Sequence, residues 1–311
     1  MNDNFNQENL VNDNELDLKD LFSIILQRKK LVLSIFVAIS FASLLFALFS
    51  PNVYRSHSIL APTSQEDSLS SMLGSYSSLA GIAGISLPSE PANKSVEAIE
   101  RIISFNFFSN YFLPNIKLEN LFASKGWDQL EDKIIYDDNI FDSYKNKWVR
   151  DEDFPKKAKP SEQEAYEVYL EIIKISEDNN TGFVKLSIDS YSPNIAQKWL
   201  EIIIYNINES MRLEDKELTL DYINYLNQAF KETTQSEIRE SITQLLQVQM
   251  QKFMVTEYSK DYIFKYIEQP LAPEEEDSPN RMLIVILGSF FGFIVSSFVS
   301  VILHFRANFK I

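Results

Sequence analysis

The sequence predicts a membrane protein in which two transmembrane helices flank an α+β domain with a membrane-proximal mixed sheet, helices and a long extended helical arm. Two uncharged apolar runs, at residues 31–50 and 282–303, lie near the two ends of the 311-residue chain. Each is about 20 residues long, the length that a helix needs to cross roughly 30 Å of hydrocarbon. Between them, short alternating segments indicate strands, and 76 residues without proline or glycine separate Pro193 from Pro270. Such a stretch predicts unusually long helices.

The charge and the cysteine content exclude several functions. The formal net charge is −15, and the acidic excess lies between the two apolar runs. An acidic domain repels polyanions, so nucleic acid and an anionic membrane surface are not expected partners. The chain has no cysteine, which rules out disulfides, thiolate metal sites and a cysteine nucleophile.

Residues 1–30 are predicted to form a polar tail followed by an amphipathic segment. Apolar residues recur at near-helical spacing between Leu16 and Leu26, among charged neighbours, which is typical of a helix on a membrane surface. The apolar run at 31–50 exceeds the core of a signal peptide, and no convincing cleavage site follows it. We therefore expect this run to be a first membrane anchor.

The basic residues that flank the two spans predict the orientation of the chain. Most of them lie on the sides that face the chain ends: Arg28, Lys29, Lys30, Arg306 and Lys310. Only Arg55 and Arg281 lie on the opposite sides. Because positive residues stay in the cytoplasm, both termini, including residues 304–311, are expected there. Residues 51–281 then form an external domain, periplasmic in a bacterium with two membranes, and the spans lie in its inner membrane.

Small residues in both spans predict close helix packing in the membrane. In the second span they recur every fourth position, at Gly288, Gly292, Ser296 and Ser300. The first span has a similar series at Ser34, Ala38 and Ala42. Such ridges let helix backbones approach closely, although glycine and serine are also simply frequent in membrane helices. The second ridge is expected to face the first span or another protein.

The external domain is predicted to contain one sheet and several short helices. The strands next to the two anchors and a central hairpin are expected to share that sheet, while Trp127 and Trp148 anchor a polar surface region. In chain order the elements are a strand at 53–60, a Ser/Gly/Ala-rich loop at 68–88, helices between Ala92 and Gly126, a helix at 161–170, hairpin strands at 171–176 and 183–190, and a strand at 262–267.

The proline-free stretch is predicted to form a helical arm. Its apolar residues form three stripes at helical spacing, interrupted by a polar window at 231–236. A long helix at about 193–232 and a returning helix at about 236–257 explain this pattern, and one kinked helix over 193–257 is the alternative. Thr234 and Glu237 have the spacing of a capping box. A helix of this length favours packing against copies of itself.

The sequence contains no recognisable catalytic constellation. His57 and His304 lie far apart in the sequence, and phosphate-binding loops, hydrolase elbows and zinc-binding helix motifs are absent. The acidic runs at 137–138, 151–153 and 274–277 are typical of solvated loops. We predict no catalytic residues, no cofactor site, no metal site and no enzymatic activity. Arg239 is expected to pair within its helix, with a subunit or glycan contact as the alternative.

Several segments, in this order and spacing, resemble the polysaccharide chain-length determinants, also called polysaccharide co-polymerases. The first span is followed by a strand from Tyr54 to Pro62, and the Ser/Gly/Ala-rich loop ends in Ile85-Ser86-Leu87-Pro88. The second span holds two glycines and follows a proline-containing connector. The positions that carry the resemblance are Tyr54, Pro62, Glu237, Arg239, Pro270, Pro273 and Pro279. The acidic residues at 274–277 depart from the family, which more often mixes in basic residues there.

The resemblance implies a regulator that catalyses nothing itself. Members of the family form homo-oligomeric rings in the bacterial inner membrane, and each ring works with a separate membrane polysaccharide polymerase that extends a lipid-linked glycan. The ring sets the chain length of O-antigen or a related polymer, and this chain is expected to belong to the class without a fused tyrosine kinase. The alternatives are a two-span periplasmic sensor or receptor, and an adaptor for a separate kinase in capsule export.

Overall fold

The computed structural model describes residues 27–63 and 94–308. They divide into two compact units, one made of the described residues before Pro51 and after Asp277, the other of Pro51–Asp277. Two predicted features lie outside the described residues, namely the amphipathic segment between Leu16 and Leu26 and the Ser/Gly/Ala-rich loop at 68–88.

Helices and strands alternate in short groups before the two long helices. The helices are α1 (Lys29–Phe49), α2 (Lys94–Ile102), α3 (Leu118–Phe122), α4 (Glu162–Ile172), α5 (Pro193–Glu232), α6 (Ser236–Tyr258) and α7 (Arg281–Asn308). The strands are β1 (Tyr54–Pro62), β2 (Ser124–Asp128), β3 (Lys133–Tyr136), β4 (Phe141–Asp142), β5 (Lys147–Trp148), β6 (Ile173–Glu177), β7 (Val184–Ser190) and β8 (Phe264–Glu268).

The first unit consists of the antiparallel helices α1 and α7. Both are long and apolar enough to cross a membrane, over Lys29–Phe49 and Arg281–His304. They agree with the two spans predicted from the sequence to within a few residues. The side chain of Ser43 in α1 donates a hydrogen bond of 2.9 Å to the carbonyl oxygen of Ile284 in α7, so the two helices approach closely along their length.

The second unit is built on a four-stranded sheet with the order β6-β7-β1-β8. Tyr54 at the start of β1 lies opposite Ser190 of β7, and Pro62 at its end lies opposite Phe264 of β8. The prediction that the two strands next to the anchors share a sheet with the central hairpin is confirmed. The predicted sheet was mixed, whereas all its observed strand pairs are antiparallel. β6 and β7 are antiparallel because one turn joins them as a hairpin. The longer connections bring β1 into the sheet antiparallel to both of its neighbours, β7 and β8.

One face of this sheet is covered by the first half of α5. β1 alternates between buried and more exposed residues, with Tyr54, Ser56, Ser58 and Leu60 on the buried side. The hydroxyls of the two buried serines donate to the backbone carbonyls of Glu268, the last residue of β8, and of Leu271 beyond it. These hydrogen bonds compensate the burial of polar groups, so β1 is fixed in the sheet by backbone and side-chain bonds alike.

Aromatic residues fill the space between α4, α5 and a run of tight turns. The turns are an α-helical turn at Phe105–Phe107, a π-helical turn at Phe108–Phe112 and a 3₁₀ turn at Leu113–Asn115. The sequence predicted helices between Ala92 and Gly126, and the structure instead has the short helices α2 and α3 with these turns between them. Phe108 and Phe112 of the π turn pack onto Tyr169 at ring-centroid distances of 5.1 and 4.9 Å.

Two small hairpins occupy the region that the sequence predicted only as a polar surface. β2 pairs with β3, and β4 pairs with β5. The two predicted surface tryptophans hold them in place, because Trp127 packs edge-on against Tyr54 and Trp148 packs against Phe122 and Phe141.

The helices α5 and α6, of 40 and 23 residues, form the predicted arm. Residues 233–235 separate them, and α6 runs back antiparallel to α5. The alternative of one kinked helix is therefore wrong. Leu226, Ile242 and Leu245 form a small buried cluster between them. The predicted capping box is not formed, because Gln235 rather than Thr234 is the N-cap of α6 and its side chain makes no capping bond.

Candidate helix-packing site and domain base

The two glycines of the predicted ridge in α7 lie against α1. A Cβ atom added to Gly288 would overlap the Oγ and Cβ atoms of Ser43, and one added to Gly292 would lie 3.1 Å from the Cβ of Ile39. Gly288 therefore requires glycine for the observed approach of the helices, whereas a larger residue at Gly292 would need a small shift of Ile39. This is the small-residue packing that membrane helices use, where association depends on close contact rather than on the hydrophobic effect.

The two serines of the ridge continue the same face. Ser296 and Ser300 are fully buried, and the hydroxyl of Ser296 donates to the carbonyl oxygen of Phe293 at 2.9 Å. The Oγ of Ser300 has no hydrogen-bond partner among the residues that the structure describes. The structure thus places Gly288 and Gly292 against α1 and buries the two serines of the ridge.

The small residues predicted to form the matching ridge of α1 do not lie at this contact. Ser34, Ala38 and Ala42 are exposed within the described residues. The contact face of α1 instead carries Ile39 and Ser43. The physical reason is complementarity: a glycine in one helix leaves room for a larger side chain of the other, so small residues need not oppose small residues.

The connectors to both membrane helices leave the second unit at one place, which we call the domain base. The backbone amide of Asp277 donates to the carbonyl oxygen of Val53 at 2.9 Å. The guanidinium of Arg55 pairs with Asp277 at 2.9 Å and forms two hydrogen bonds to Asp189 of β7, at 2.6 and 2.9 Å. Arg55 therefore links the two connectors to the sheet.

The charges at the domain base stabilise one another. Partial burial alone would raise the pKa of Asp189, but the hydrogen bonds from Arg55 and from Lys174 lower this pKa below its ordinary value. The hydrogen bond with Asp189 in turn raises the pKa of Arg55. Bidentate contacts between arginine and carboxylate are geometrically specific, so this cluster holds the start of β1 and the second connector in a defined register.

A second set of contacts joins the β2–β3 hairpin to the domain base. Tyr54 packs edge-on against Trp127, with a ring-centroid distance of 5.4 Å. The indole nitrogen of Trp127 donates to Asp132 at 2.8 Å, and the amide of Asn194 donates to the other carboxylate oxygen of Asp132 at 2.9 Å. Because Asn194 lies in the first turn of α5, the turn between β2 and β3 is fixed at the end of the sheet where β1 begins.

The family-motif prolines lie at the end of β1 and in the chain that follows β8. Pro62 ends β1 and pairs with Phe264 in the register of β8. Pro270 is buried directly after β8, while Pro273 and Pro279 are half-buried in the second connector. The fixed φ of proline stiffens this connector.

The two motif residues on the arm lie near its tip. Glu237 is exposed in the first turn of α6. The guanidinium of Arg239 lies 4.3 Å from the ring centroid of Phe230 in α5. The contact of Arg239 that the structure shows is therefore a cation–π contact between the two helices, where the sequence predicted a pair within α6.

Sequence reasoning missed the polar residues that join the arm to the sheet. The side-chain oxygen of Asn208 accepts hydrogen bonds of 2.8 Å from the amides of Ile263 and Phe264, and its amide donates to the carbonyl oxygen of Phe264. Asp215 accepts bonds of 2.6 Å from Lys94 and from the hydroxyl of Tyr262. A single asparagine or aspartate in a polar-patterned helix gives no local signal of such a role.

The described residues contain no group of three or more metal-ligating side chains. His57 lies 3.3 Å from Glu268 on the neighbouring strand, and both are partly exposed. The acidic residues at 274–277 are exposed on the connector.

The fold is that of a membrane-anchored protein whose α+β unit carries a helical arm. Residues 14–104 match the family model described as Wzz, chain length determinant protein. Over these residues the chain is similar to the chain length determinant family, in agreement with the resemblance noted in the sequence. No curated protein sequence matches the chain.

Two polysaccharide co-polymerases are among the solved structures that are similar to this chain. A full-length bacterial polysaccharide co-polymerase is 13% identical, has a TM-score of 0.42, and the alignment covers 94% of this chain and 99% of that one. A fragment of WzzB, a polysaccharide co-polymerase from Salmonella Typhimurium, is 15% identical, has a TM-score of 0.31, and the alignment covers 73% and 100% of the two chains.

Proposed function

We propose that this protein regulates the chain length of a bacterial polysaccharide, O-antigen or a related lipid-linked glycan, as a partner of a separate membrane polymerase. The observation that carries the proposal is the family match over residues 14–104. The matched segment includes α1 and β1, which are the first anchor and the central strand of the sheet. The regulator catalyses no reaction, and the polymerase supplies the chemistry.

The arm supports the part of the proposal that concerns assembly. α5 and α6 expose large apolar side chains along their length, namely Tyr205, Leu213, Leu218, Tyr225, Met250, Met254 and Tyr258. Exposed apolar surface of this extent is typical of protein–protein contacts. We infer that these side chains pack against the arms of neighbouring copies in a homo-oligomeric ring.

The proposed orientation places both termini in the cytoplasm and the second unit in the periplasm. It is supported by the basic residues at Arg28–Lys30 and at Arg306. Because the chain has no cysteine, single cysteines report the topology directly. In spheroplasts, a membrane-impermeant maleimide should label Asn180→Cys and spare Asn2→Cys, and the opposite result would reverse the orientation.

Deletion of the gene tests the proposed function. Gel electrophoresis of the surface polysaccharide should show the loss of a preferred chain length, and the full chain should restore it. A normal length distribution in the deletion strain would refute the proposal.

The assembly is tested separately with Tyr225→Asp, which should abolish the ring in images of the detergent-solubilised protein. The adjacent exposed variant Asn224→Asp should leave the ring intact.

A further inference from the structure

The β2–β3 hairpin presents a leucine to solvent at its tip. Leu130 has 98% of its surface exposed, although the turn around it is ordered. A carboxylate oxygen of Asp128 accepts hydrogen bonds from the amides of Leu130 and Glu131, at 2.8 and 3.2 Å. The turn therefore holds the leucine outward, where it contributes nothing to the core of the second unit.

The position of this turn relates it to the membrane connectors. Asp132, two residues after Leu130, is bonded to Trp127 and Asn194 at the domain base. At the same base the amide of Asp277 donates to the carbonyl oxygen of Val53. The tip of the hairpin and the two points where the chain leaves for the membrane thus belong to the same end of the sheet.

The connectors are too short to let the domain base move far from the bilayer. Val53 is four residues from Phe49 at the end of α1, and Asp277 is four residues from Arg281 at the start of α7. Four residues span at most about 14 Å when fully extended. This limit follows from chain length alone, and it applies to each of the two connectors.

We propose that the turn of the β2–β3 hairpin rests in the lipid headgroup region of the membrane that holds α1 and α7, with the side chain of Leu130 inserted. A single leucine is too little to bring a free domain to a membrane, but two short tethers supply a high effective concentration of lipid. The turn carries charges of both signs, which suits a zwitterionic surface: Lys125, Asp128, Glu131, Asp132 and Lys133.

The proposal gives Tyr54 and Trp127 a role beyond packing. Their edge-on contact joins the first turn of β1 to the hairpin, so it sets the height of Leu130 relative to the connectors. The two connectors and the hairpin tip would then all lie at the lipid surface.

Quenching by lipid tests the proposal on the full chain in phosphatidylcholine nanodiscs. Gln129→Cys carries an environment-sensitive fluorophore beside Leu130, and a fraction of the lipid bears a nitroxide near the headgroup. The matched control is Asn180→Cys, in the turn between β6 and β7 at the opposite end of the sheet. The label at residue 129 should be quenched strongly and the label at residue 180 should not.

A second variant separates insertion from mere closeness. In the Gln129→Cys background, Leu130→Ser should lower the quenching about twofold or more, because the inserted side chain is lost. Equal quenching at residues 129 and 180 would overturn the proposal, and so would a quenching that Leu130→Ser leaves unchanged. A label at residue 129 that lipid does not quench, but that responds to protein concentration, would assign the tip to another protein copy and also overturn it.

Discussion

The molecule contains two antiparallel helix pairs that are held together by opposite chemistry. In the pair α1–α7, glycines at 288 and 292 let the backbones approach, and one serine hydroxyl bonds across the contact. In the pair α5–α6, Leu226, Ile242 and Leu245 are buried between the helices. The same arrangement of two helices is thus reached by removing side chains in one case and by burying large ones in the other.

The solvent explains this difference. In water, burial of a leucine stabilises a helix pair because apolar surface leaves water. In hydrocarbon the lipid chains are as apolar as leucine, so only close contact and interhelical hydrogen bonds favour association. The comparison therefore predicts that truncation of a large residue damages the arm, whereas enlargement of a small residue damages the membrane pair.

The largest effect is expected for Leu245→Ala in the arm. Leu245 is fully buried in the small cluster between the two helices, and truncation of a buried leucine costs about 2–5 kcal/mol. Hydrogen exchange should become faster in α6 and in the facing part of α5, while the sheet keeps its protection. Met250→Ala, at an exposed position of the same helix, is the control. Unchanged exchange around Leu226 would show that the cluster does not hold the arm together.

The next effect is expected for Gly288→Ala in the membrane pair. The added Cβ overlaps Ser43, and overpacking of this kind costs about 1–3 kcal/mol. Energy transfer between labels at Gln27→Cys and Asn308→Cys should fall at a lower detergent concentration than in the parent protein. Ser43→Gly removes the overlapping atoms and should restore the pair in the double variant.

An exposed position supplies the control for the membrane pair. Ala38→Leu enlarges a residue that the sequence placed in a packing ridge and that the structure leaves exposed. It should leave the energy transfer unchanged. If Ala38→Leu separates the helices and Gly288→Ala does not, the contact face of α1 described above is wrong.

Acid should weaken the domain base before it affects either helix pair. The folded protein holds the pKa of Asp189 below its ordinary value, so its contribution is complete above the unfolded pKa, near 4, and is lost as the pH falls through the folded pKa. The free energy of unfolding should decrease below about pH 4, with a slope of at most about 1.4 kcal/mol per pH unit for this group.

The variant Asp189→Asn isolates this group. Thermal unfolding followed by tryptophan fluorescence should depend less on pH in the variant than in the parent protein. The conservative change keeps the shape of the side chain and removes its charge, so a pH dependence identical to that of the parent would assign the acid sensitivity to other carboxylates.

The elements with a strong local pattern were predictable from the sequence, and those formed by distant contacts were not. A long apolar run predicts each of the membrane helices α1 and α7. A long proline-free stretch predicts the helices α5 and α6. The strands β2 to β5 contain two to five residues each. Their positions depend on Trp127 and Trp148 packing against residues elsewhere in the chain, which no local spacing encodes.

The candidate site shows the same division within a single helix contact. Spacing alone identified the ridge of Gly288 and Gly292, because every fourth residue of a helix lies on one face. Spacing could not identify the matching face of α1, since Ser34 and Ala38 follow the same rule as the residues that make the contact. The sequence did not single out Ile39 as a contact residue. A large residue can be recognised as one only when the glycine that lies opposite it in the other helix is known.

The smallest effect is expected for the ion pair at the root of the arm. Lys216 of α5 and Glu257 of α6 approach to 2.5 Å, but both side chains are partly exposed. Such pairs contribute about 0.2–1 kcal/mol and are screened by salt. Lys216→Met should therefore shift the unfolding midpoint slightly at low ionic strength and not measurably at high ionic strength. A loss as large as that of Leu245→Ala, or one that salt does not reduce, would mean that charge rather than apolar burial joins the helices of the arm. The contrast with the membrane pair would then rest on the wrong interaction.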